Sequence, residues 1–540
     1  MTEAITAPTC LLEHMEHRQV GMDGGARALT FDLMGLDRVL QSSPPPMPRV
    51  TDGAGLRDRV METFVGRRQR EERMDWDEFA RWGEEITRWG AAYHTGLRER
   101  PVRAQVTPGE IKAQLPALPP ETGEGMAQIM EDFQRIVMPG LTHWQHPRFF
   151  AYFPANAAPP SMLAEMLVTM IAPQCMLWQT SPAATEMEEV MLDWLRQAVG
   201  LPEGFAGVIQ DSASSATLAA VLVMRERALN WAGNLSGLTG QPAVRIYCSD
   251  QVHSSIDRAA WISGIGQDNL VKLPVAQEDP LRSMDVSALK AAIAADRAAG
   301  HLPAGIIGVT GATGMGACDR LNDLADVAES EDLYLHVDAA WAGAAMICPE
   351  YRDLWEGVAR ADSMVFNPHK WLGAQFDCSA HFIRSPDALR QTLAIRPEYL
   401  KTLGASDVTD FSEWSIPLGR RFRALKLWFL IRSYGLDGLR EMIRNHVRWA
   451  EGLADRLTSE PDFEIVSRPV LSLFTFRHEG DDAHNLALVE AINSDGRIYL
   501  TQTRLDGRAV IRFQAGAFGV TQADVDMAFN TITQIARQGG

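Results

Sequence analysis

Lysine is scarce in this 540-residue chain: it occurs only at 112, 272, 290, 370, 401 and 426, among 51 basic side chains. Arginine fills nearly every position where a lasting positive charge is enough. A surviving lysine is therefore a candidate for what arginine cannot do, which is to lose its proton and attack a carbonyl. Cysteine is as thin, at 10, 175, 248, 318, 348 and 378, with no CxxC pair and no metal-ligand spacing. That excludes a disulfide framework and a metal site read from spacing, and it points to a reduced cytosol. No basic start followed by an apolar run is present, so no secretory signal is visible. The most apolar long segment, Met162 to Trp178, is broken by Glu165, Pro173 and Gln174; too short to span a membrane, it is expected in the core or at a dimer interface. Positive charge is not in excess: the net charge is −18 and the pI about 5.2, which argues against nucleic acid and anionic membranes as partners. There is no G-x-G-x-x-G followed by a ribose carboxylate, so a dinucleotide is not expected. What is present, 46% apolar and 22% charged residues, describes a globular chain long enough for several domains and a large core.

Against that background Asn367-Pro368-His369-Lys370-Trp371 stands out, because it follows an apolar run, Met364-Val365-Phe366. Lys370 is placed at the end of a buried strand, where α/β sheets present reactive groups; the other reading is a strand-end lysine reaching solvent. Leu333 to Asp338 reads as a second buried strand, ending on a carboxylate and running into Ala339, Ala340 and Trp341. An ionised Asp there either caps the next helix or faces a cation. Pyridoxal phosphate has such a cation in its protonated ring nitrogen, which pairs with an Asp while a Lys holds the aldehyde as a Schiff base.

A phosphate seat is the third part. Gly207 to Gln210 reads as a short strand, and Asp211-Ser212-Ala213-Ser214-Ser215-Ala216-Thr217 leads into an amphipathic helix from Leu218 to about Leu229. Small hydroxyl residues at a helix start either cap the helix or offer N–H groups to an anion; the side chain of Asp211 is expected to point away. Tyr247 to Ser255 is again a strand running into a helix start, where the imidazole of His253 either stacks on a flat cofactor or caps the helix.

Taken in order, Asp211–Thr217, Ser249–Ser255, His336–Gly343, Asn367–Trp371 and Ile416–Arg423 resemble the pyridoxal-phosphate-dependent aromatic L-amino-acid decarboxylases, the group II decarboxylase family, from about Met74 to the C-terminus. The resemblance implies an α/β fold of PLP fold-type I, aspartate-aminotransferase-like, with a mostly parallel seven-stranded sheet, an N-terminal helical segment and a small C-terminal α+β domain. The expected boundaries are 1–73, an extension of unknown role; 74–158, helical and dimer-forming; 159–427, the large cofactor-binding domain; and 428–540, the small domain. Helical spacing at Phe79, Trp82, Ile86, Trp89 and Tyr93, strand–helix alternation from Gly207 to about Phe382, a helix from Leu436 to Leu457 and an Asp506-Gly507 turn agree with that division.

The resemblance also assigns residues. Lys370, Asp338, His253 and Tyr399 are the expected catalytic set. Ala213, Ser214, His253, Thr313, Asp338, Ala340, Asn367, His369 and Lys370 are expected to hold the cofactor. Trp144, Tyr152, Phe153, Pro154 and Ala155 are expected along the pocket for an aromatic side chain, with Gln174, Met176 and Gly419; Gln174 and Met176 fall where family members carry residues contributed by the other subunit. The implied assembly is a homodimer with a shared active site, without nucleic acid, membrane or metal.

The implied reaction is decarboxylation of an aromatic L-amino acid to its amine, with Tyr399 as proton donor on a Gly/Ser/Thr-containing loop; phenylalanine there goes with aldehyde-forming relatives. An aldehyde synthase shares every other anchor, and a non-catalytic protein of the same fold is the third reading. Ala155 and Gly419 stand where phenol-using relatives carry hydroxyl residues, and a buried phenol without a partner costs about 1–3 kcal/mol. Tryptophan is thus the expected substrate ahead of L-DOPA, tyrosine and phenylalanine.

Overall fold

The computed structural model describes residues 74–395 and 408–538. The expectations for 1–73 and for Tyr399 lie outside the described residues.

Seven strands form the central sheet: β1 (Ala206–Gln210), β2 (Val244–Ser249), β3 (Leu270–Leu273), β4 (Leu302–Val309), β5 (Tyr334–Asp338), β6 (Ser363–Phe366) and β7 (Ser379–Ile383). Their order is β1-β7-β6-β5-β4-β2-β3, and only β7 runs against its neighbours. Parallel strands need crossovers and are covered on both faces, so their apolar runs are continuous rather than alternating. β5, β6 and β7 are buried at every residue.

The helices used below are α1 (Trp76–Thr95), α2 (Pro159–Ile171), α3 (Pro182–Val199), α4 (Ala213–Ala228), α5 (Ser254–Ile262) and α6 (Ala424–Thr458). α1 matches the helical spacing of its aromatic residues, but none of its residues is buried within the chain. α2 carries the apolar segment expected in the core or at an interface. Only Ser161, Ala164 and Val168 are buried, while Leu163, Met166, Leu167, Met170 and Ile171 are exposed.

α4 departs from expectation in two ways. It starts at Ala213, five residues before Leu218, because Ser212 caps it: the Ser212 Oγ accepts the Ser215 N–H at 3.2 Å. Nor is it amphipathic, since buried residues surround most of it, including Arg225 and Glu226, which pair with each other. In α6, Gly435 breaks the helix with φ 63° and ψ 169°, a conformation that costs glycine little; the expected helix from Leu436 is its second half.

The C-terminal part is a four-stranded antiparallel sheet, made of β8 (Phe463–Val470), β9 (Leu473–His478), β10 (Thr501–Leu505) and β11 (Arg508–Gln514) in the order β10-β11-β9-β8. Asp506 and Gly507 both have positive φ, as a two-residue hairpin requires. No described helix is long and apolar enough to cross a membrane.

Candidate active site

β5 and β6 are adjacent parallel strands, with Asp338 paired to Val365. Their ends are tied together by the Asn367 N–H, which donates to the Ala340 carbonyl at 2.9 Å. Beyond β6, Pro368–Leu372 make a single π-helical turn that carries Lys370. The turn is clamped by Asn156, fully buried, whose Nδ2 donates to the Lys370 carbonyl at 2.6 Å and the Gly516 carbonyl at 2.8 Å, and whose N–H donates to the His369 carbonyl at 3.0 Å.

Asp338 and Lys370 open into one cavity of about 260 Å³. All nine residues expected to hold the cofactor line it, joined by Ser212 and Ser255 at two helix starts, by Val309, Gly311 and Ala312 at the end of β4, and by Trp341 and Phe153. Asp211 does not line it, and its charge acts on Arg423 instead.

Burial pushes the Lys370 amine down to about 8, against the opposing charge of Asp338 and with the help of Arg512. The carboxylate of Asp338, 5% exposed, accepts the Ala340 N–H at 3.0 Å through Oδ1. His369 is held neutral, pushed down to about 3 chiefly by burial and further by Lys370. Its Nδ1 accepts the Cys378 N–H at 2.9 Å, so the proton sits on Nε2 as a donor. Asn367 accepts the Ser379 hydroxyl at 2.5 Å through Oδ1, which leaves its amide N–H groups to donate. Together with the first turn of α4, they place hydrogen-bond donors on the wall of the cavity, the chemistry an anion requires. His253 takes the capping role and also faces the cavity. Its Nδ1 caps α5 by accepting the Ser255 N–H at 3.1 Å; burial lowers its pKa while Asp338 raises it.

Among the residues expected to hold the substrate, only Phe153 lines this cavity. Trp144 and Tyr152 stack at 5.9 Å and are 40% and 44% exposed. Pro154 is buried next to Gly516, and the Ala155 carbonyl accepts the side-chain amide of Gln145. Gln174, Met176 and Gly419 gather elsewhere: the Gln174 Oε1 accepts the Arg420 N–H at 2.7 Å, the Met176 carbonyl accepts the Ser412 N–H at 3.0 Å, and a Cβ on Gly419 would lie 3.3 Å from Gln174.

Arg512 was not foreseen. It is 2% exposed, its Nε donates to the Thr313 carbonyl at 2.8 Å, its Nη1 donates to the Tyr152 carbonyl at 2.5 Å, and its Cζ lies 4.6 Å from the Phe153 ring centre. Tyr152 presents that carbonyl from a backbone with φ 45°, a conformation that is unfavourable for an aromatic residue. Nη2 is buried without a partner, and no described carboxylate pairs with this cation. An uncompensated buried guanidinium is costly and calls for an anion. The one trace in the sequence is a charge inside the apolar run Ala509–Phe513.

A carboxylate, an amine of lowered pKa and donors suited to an anion around one cavity fit pyridoxal phosphate, which presents a cationic ring nitrogen, an aldehyde and a phosphate. Among the described residues, no group of three or more His, Cys, Asp or Glu is placed to hold a metal ion.

Comparison with known proteins agrees. Residues 108–479 match the pyridoxal-dependent decarboxylase conserved domain. The chain is 41% identical over 477 residues to an aromatic-L-amino-acid decarboxylase of Mus musculus, covering 86% of this chain and 98% of the relative. Among solved structures, Oryza sativa TDC with PLP and tryptamine aligns with TM-score 0.83 at 32% identity, over 86% of this chain and 99% of that one. Catharanthus roseus tryptophan decarboxylase in complex with L-tryptophan aligns with TM-score 0.82 at 33% identity, over 87% and 100%.

Proposed function

Since the chain belongs to the pyridoxal-dependent decarboxylases, in their aromatic-L-amino-acid branch, and is a carboxy-lyase that uses pyridoxal phosphate, we propose that it converts an aromatic L-amino acid, tryptophan ahead of L-DOPA, tyrosine and phenylalanine, to the arylalkylamine and CO2. The observation that carries this reading is the placement of Asp338 and Lys370 at adjacent strand ends, open to one cavity. The lean to tryptophan rests on the family resemblance, which sets Ala155 and Gly419 where phenol-using relatives carry hydroxyl residues, and the solved structures of Oryza sativa TDC with tryptamine and of Catharanthus roseus tryptophan decarboxylase with L-tryptophan support it.

When bound, pyridoxal phosphate supplies a cationic ring that accepts the electron pair released as the carboxylate departs. Lys370 would hold its aldehyde carbon, and the lowered pKa keeps a usable fraction of the amine neutral. Asp338 would keep the ring nitrogen protonated, and His253, which lines the same cavity, would be the aromatic side chain available to the ring. Asn367, the Nε2–H of His369 and the start of α4 at Ala213 and Ser214 would hold the phosphate, and Thr313 and Ala340 would contribute to the cofactor cavity they line. The free Nη2 of Arg512 receives the substrate carboxylate and orients the bond to be broken. Tyr399, from the sequence, delivers the proton that makes the product an amine rather than an aldehyde.

The working form is proposed to be a homodimer with shared sites. The apolar stripe Leu163, Met166, Leu167, Met170 and Ile171 on α2 supports this, as does the cluster of Gln174, Met176 and Gly419 outside the cavity of their own chain. The buried free cysteines 175, 248, 318, 348 and 378 suit the cytosol. Purified holoenzyme supplied with a panel of aromatic L-amino acids should release CO2 and an amine identifiable by mass spectrometry, fastest with tryptophan. No CO2 from any of them overturns the reading, and peroxide with ammonia in step with CO2 replaces it by aldehyde synthesis.

A further inference from the structure

Behind Lys370 lies a column of buried rings that the mechanism above does not use. Trp371, the next residue, is fully buried, and its Nε1–H donates to Nδ1 of His446 at 2.9 Å, with the two rings 11° from parallel. Trp341 stacks on Trp371 at 4.9 Å and 18°, and Phe153 stacks on Trp341 at 4.5 Å and 12°. The Phe153 ring centre is 5.1 Å from Lys370 Nζ and 4.6 Å from Arg512 Cζ, so its electron-rich face steadies both cations. The contacts therefore close a circuit: from the backbone of Lys370 through Trp371, Trp341 and Phe153 back to the ammonium of Lys370. Trp341 also lies three residues beyond Asp338, so the column joins the two strand ends that carry the opposed charges.

Stacking fixes the spacing of flat rings but leaves each free to slide and turn in its own plane. The hydrogen bond to His446 removes that freedom for Trp371. His446 comes from α6, outside the sheet; it is 1% exposed, and burial alone pushes it down to about 3, so it stays a neutral acceptor. We propose that His446 is a positioning residue for the decarboxylation: by accepting the Trp371 indole N–H it locks the ring column and thereby sets where the Lys370 amine stands relative to Asp338. The inference rests on the reading of Lys370 as the residue that holds the cofactor.

The test is a visible-absorbance pH titration of holoenzyme with parallel steady-state kinetics on wild type, His446→Leu, His446→Asn and Trp371→Phe. Leu keeps bulk but offers no acceptor, Asn restores an acceptor near the Nδ1 position, and Trp371→Phe keeps a ring while removing the donor. The titration midpoint of the Lys370-bound cofactor should move by at least about half a unit in His446→Leu and Trp371→Phe. In those two variants kcat should fall about tenfold with KM changing less than about threefold, while Asn returns both values close to wild type. Unchanged midpoint and kcat in both variants, with only a lower melting temperature, reduce His446 to a packing residue and overturn the proposal. Should His446→Leu not fold, the same two results in Trp371→Phe decide it. Colourless wild-type holoenzyme overturns instead the reading of Lys370 on which the proposal stands.

Discussion

The titration of Lys370 in the apoenzyme is the most informative consequence of the site. Its amine is pushed from 10.5 to about 8 because burial outweighs the pull of Asp338, a displacement worth about 3 kcal/mol at 1.36 kcal/mol per unit. At pH 7.5 this leaves about a quarter of the molecules with a neutral amine, against about one in a thousand for an unperturbed lysine. The sign follows from the cause. The charged form is the one penalised by folding, so Lys370 costs stability below about pH 8, and the cost fades as the pH rises through 8 towards 10.5. With only six lysines in the chain, 13C reductive methylation of apoenzyme should give a sparse NMR spectrum in which the signal lost in Lys370→Arg identifies the residue. That signal should titrate near pH 8, lower still in Asp338→Asn, where the opposing charge is gone, and higher in Arg512→Gln, where a repelling one is gone. A Lys370 signal titrating at 10.5 or above would refute the claim that burial decides the protonation of this amine.

Three further perturbations test separate parts of the site. Arg512→Gln removes a charged donor worth about 1.5–3 kcal/mol, so KM for the amino acid should rise about 10- to 100-fold while cofactor absorbance persists; an unchanged KM counts against the carboxylate role. Ala155→Thr should shift the kcat/KM ratio about tenfold towards phenolic substrates over tryptophan, in line with one satisfied hydroxyl; no shift, or one towards tryptophan, counts against any part for Ala155 in substrate choice. Tyr399→Phe should keep CO2 release but divert product to aldehyde, with peroxide and ammonia appearing in the same assay; an unaltered yield of amine would mean that another group supplies the proton.

What could be read from the sequence was what local chemistry dictates. Asp338 and Lys370 are conspicuous because each ends an apolar run where a charge is expensive, and the structure brings both to one cavity. The start of α4 was misplaced because Ser212, Ser214 and Ser215 all have capping chemistry, and only the three-dimensional hydrogen bond reveals that Ser212 is the cap. Asn156 and Arg512 were invisible for a different reason: their partners lie 214 and 360 residues away for Asn156, and 199 and 360 for Arg512. No local pattern encodes such a pairing. His446 belongs with them, 75 residues from the indole it fixes. The aromatic segment from Trp144 to Ala155 was legible as apolar, yet which of its rings face the cavity depends on the backbone turn at Tyr152, and only Phe153 does.

The central claim is that the Lys370 amine holds the cofactor whose ring Asp338 faces. Borohydride reduction of the coloured holoenzyme, followed by peptide mass spectrometry, tests it most directly. The predicted result is loss of visible absorbance and a single reduced pyridoxyl-phosphate adduct on the peptide carrying Lys370. An adduct on any of the other five lysines, or colour that borohydride leaves untouched, would contradict it.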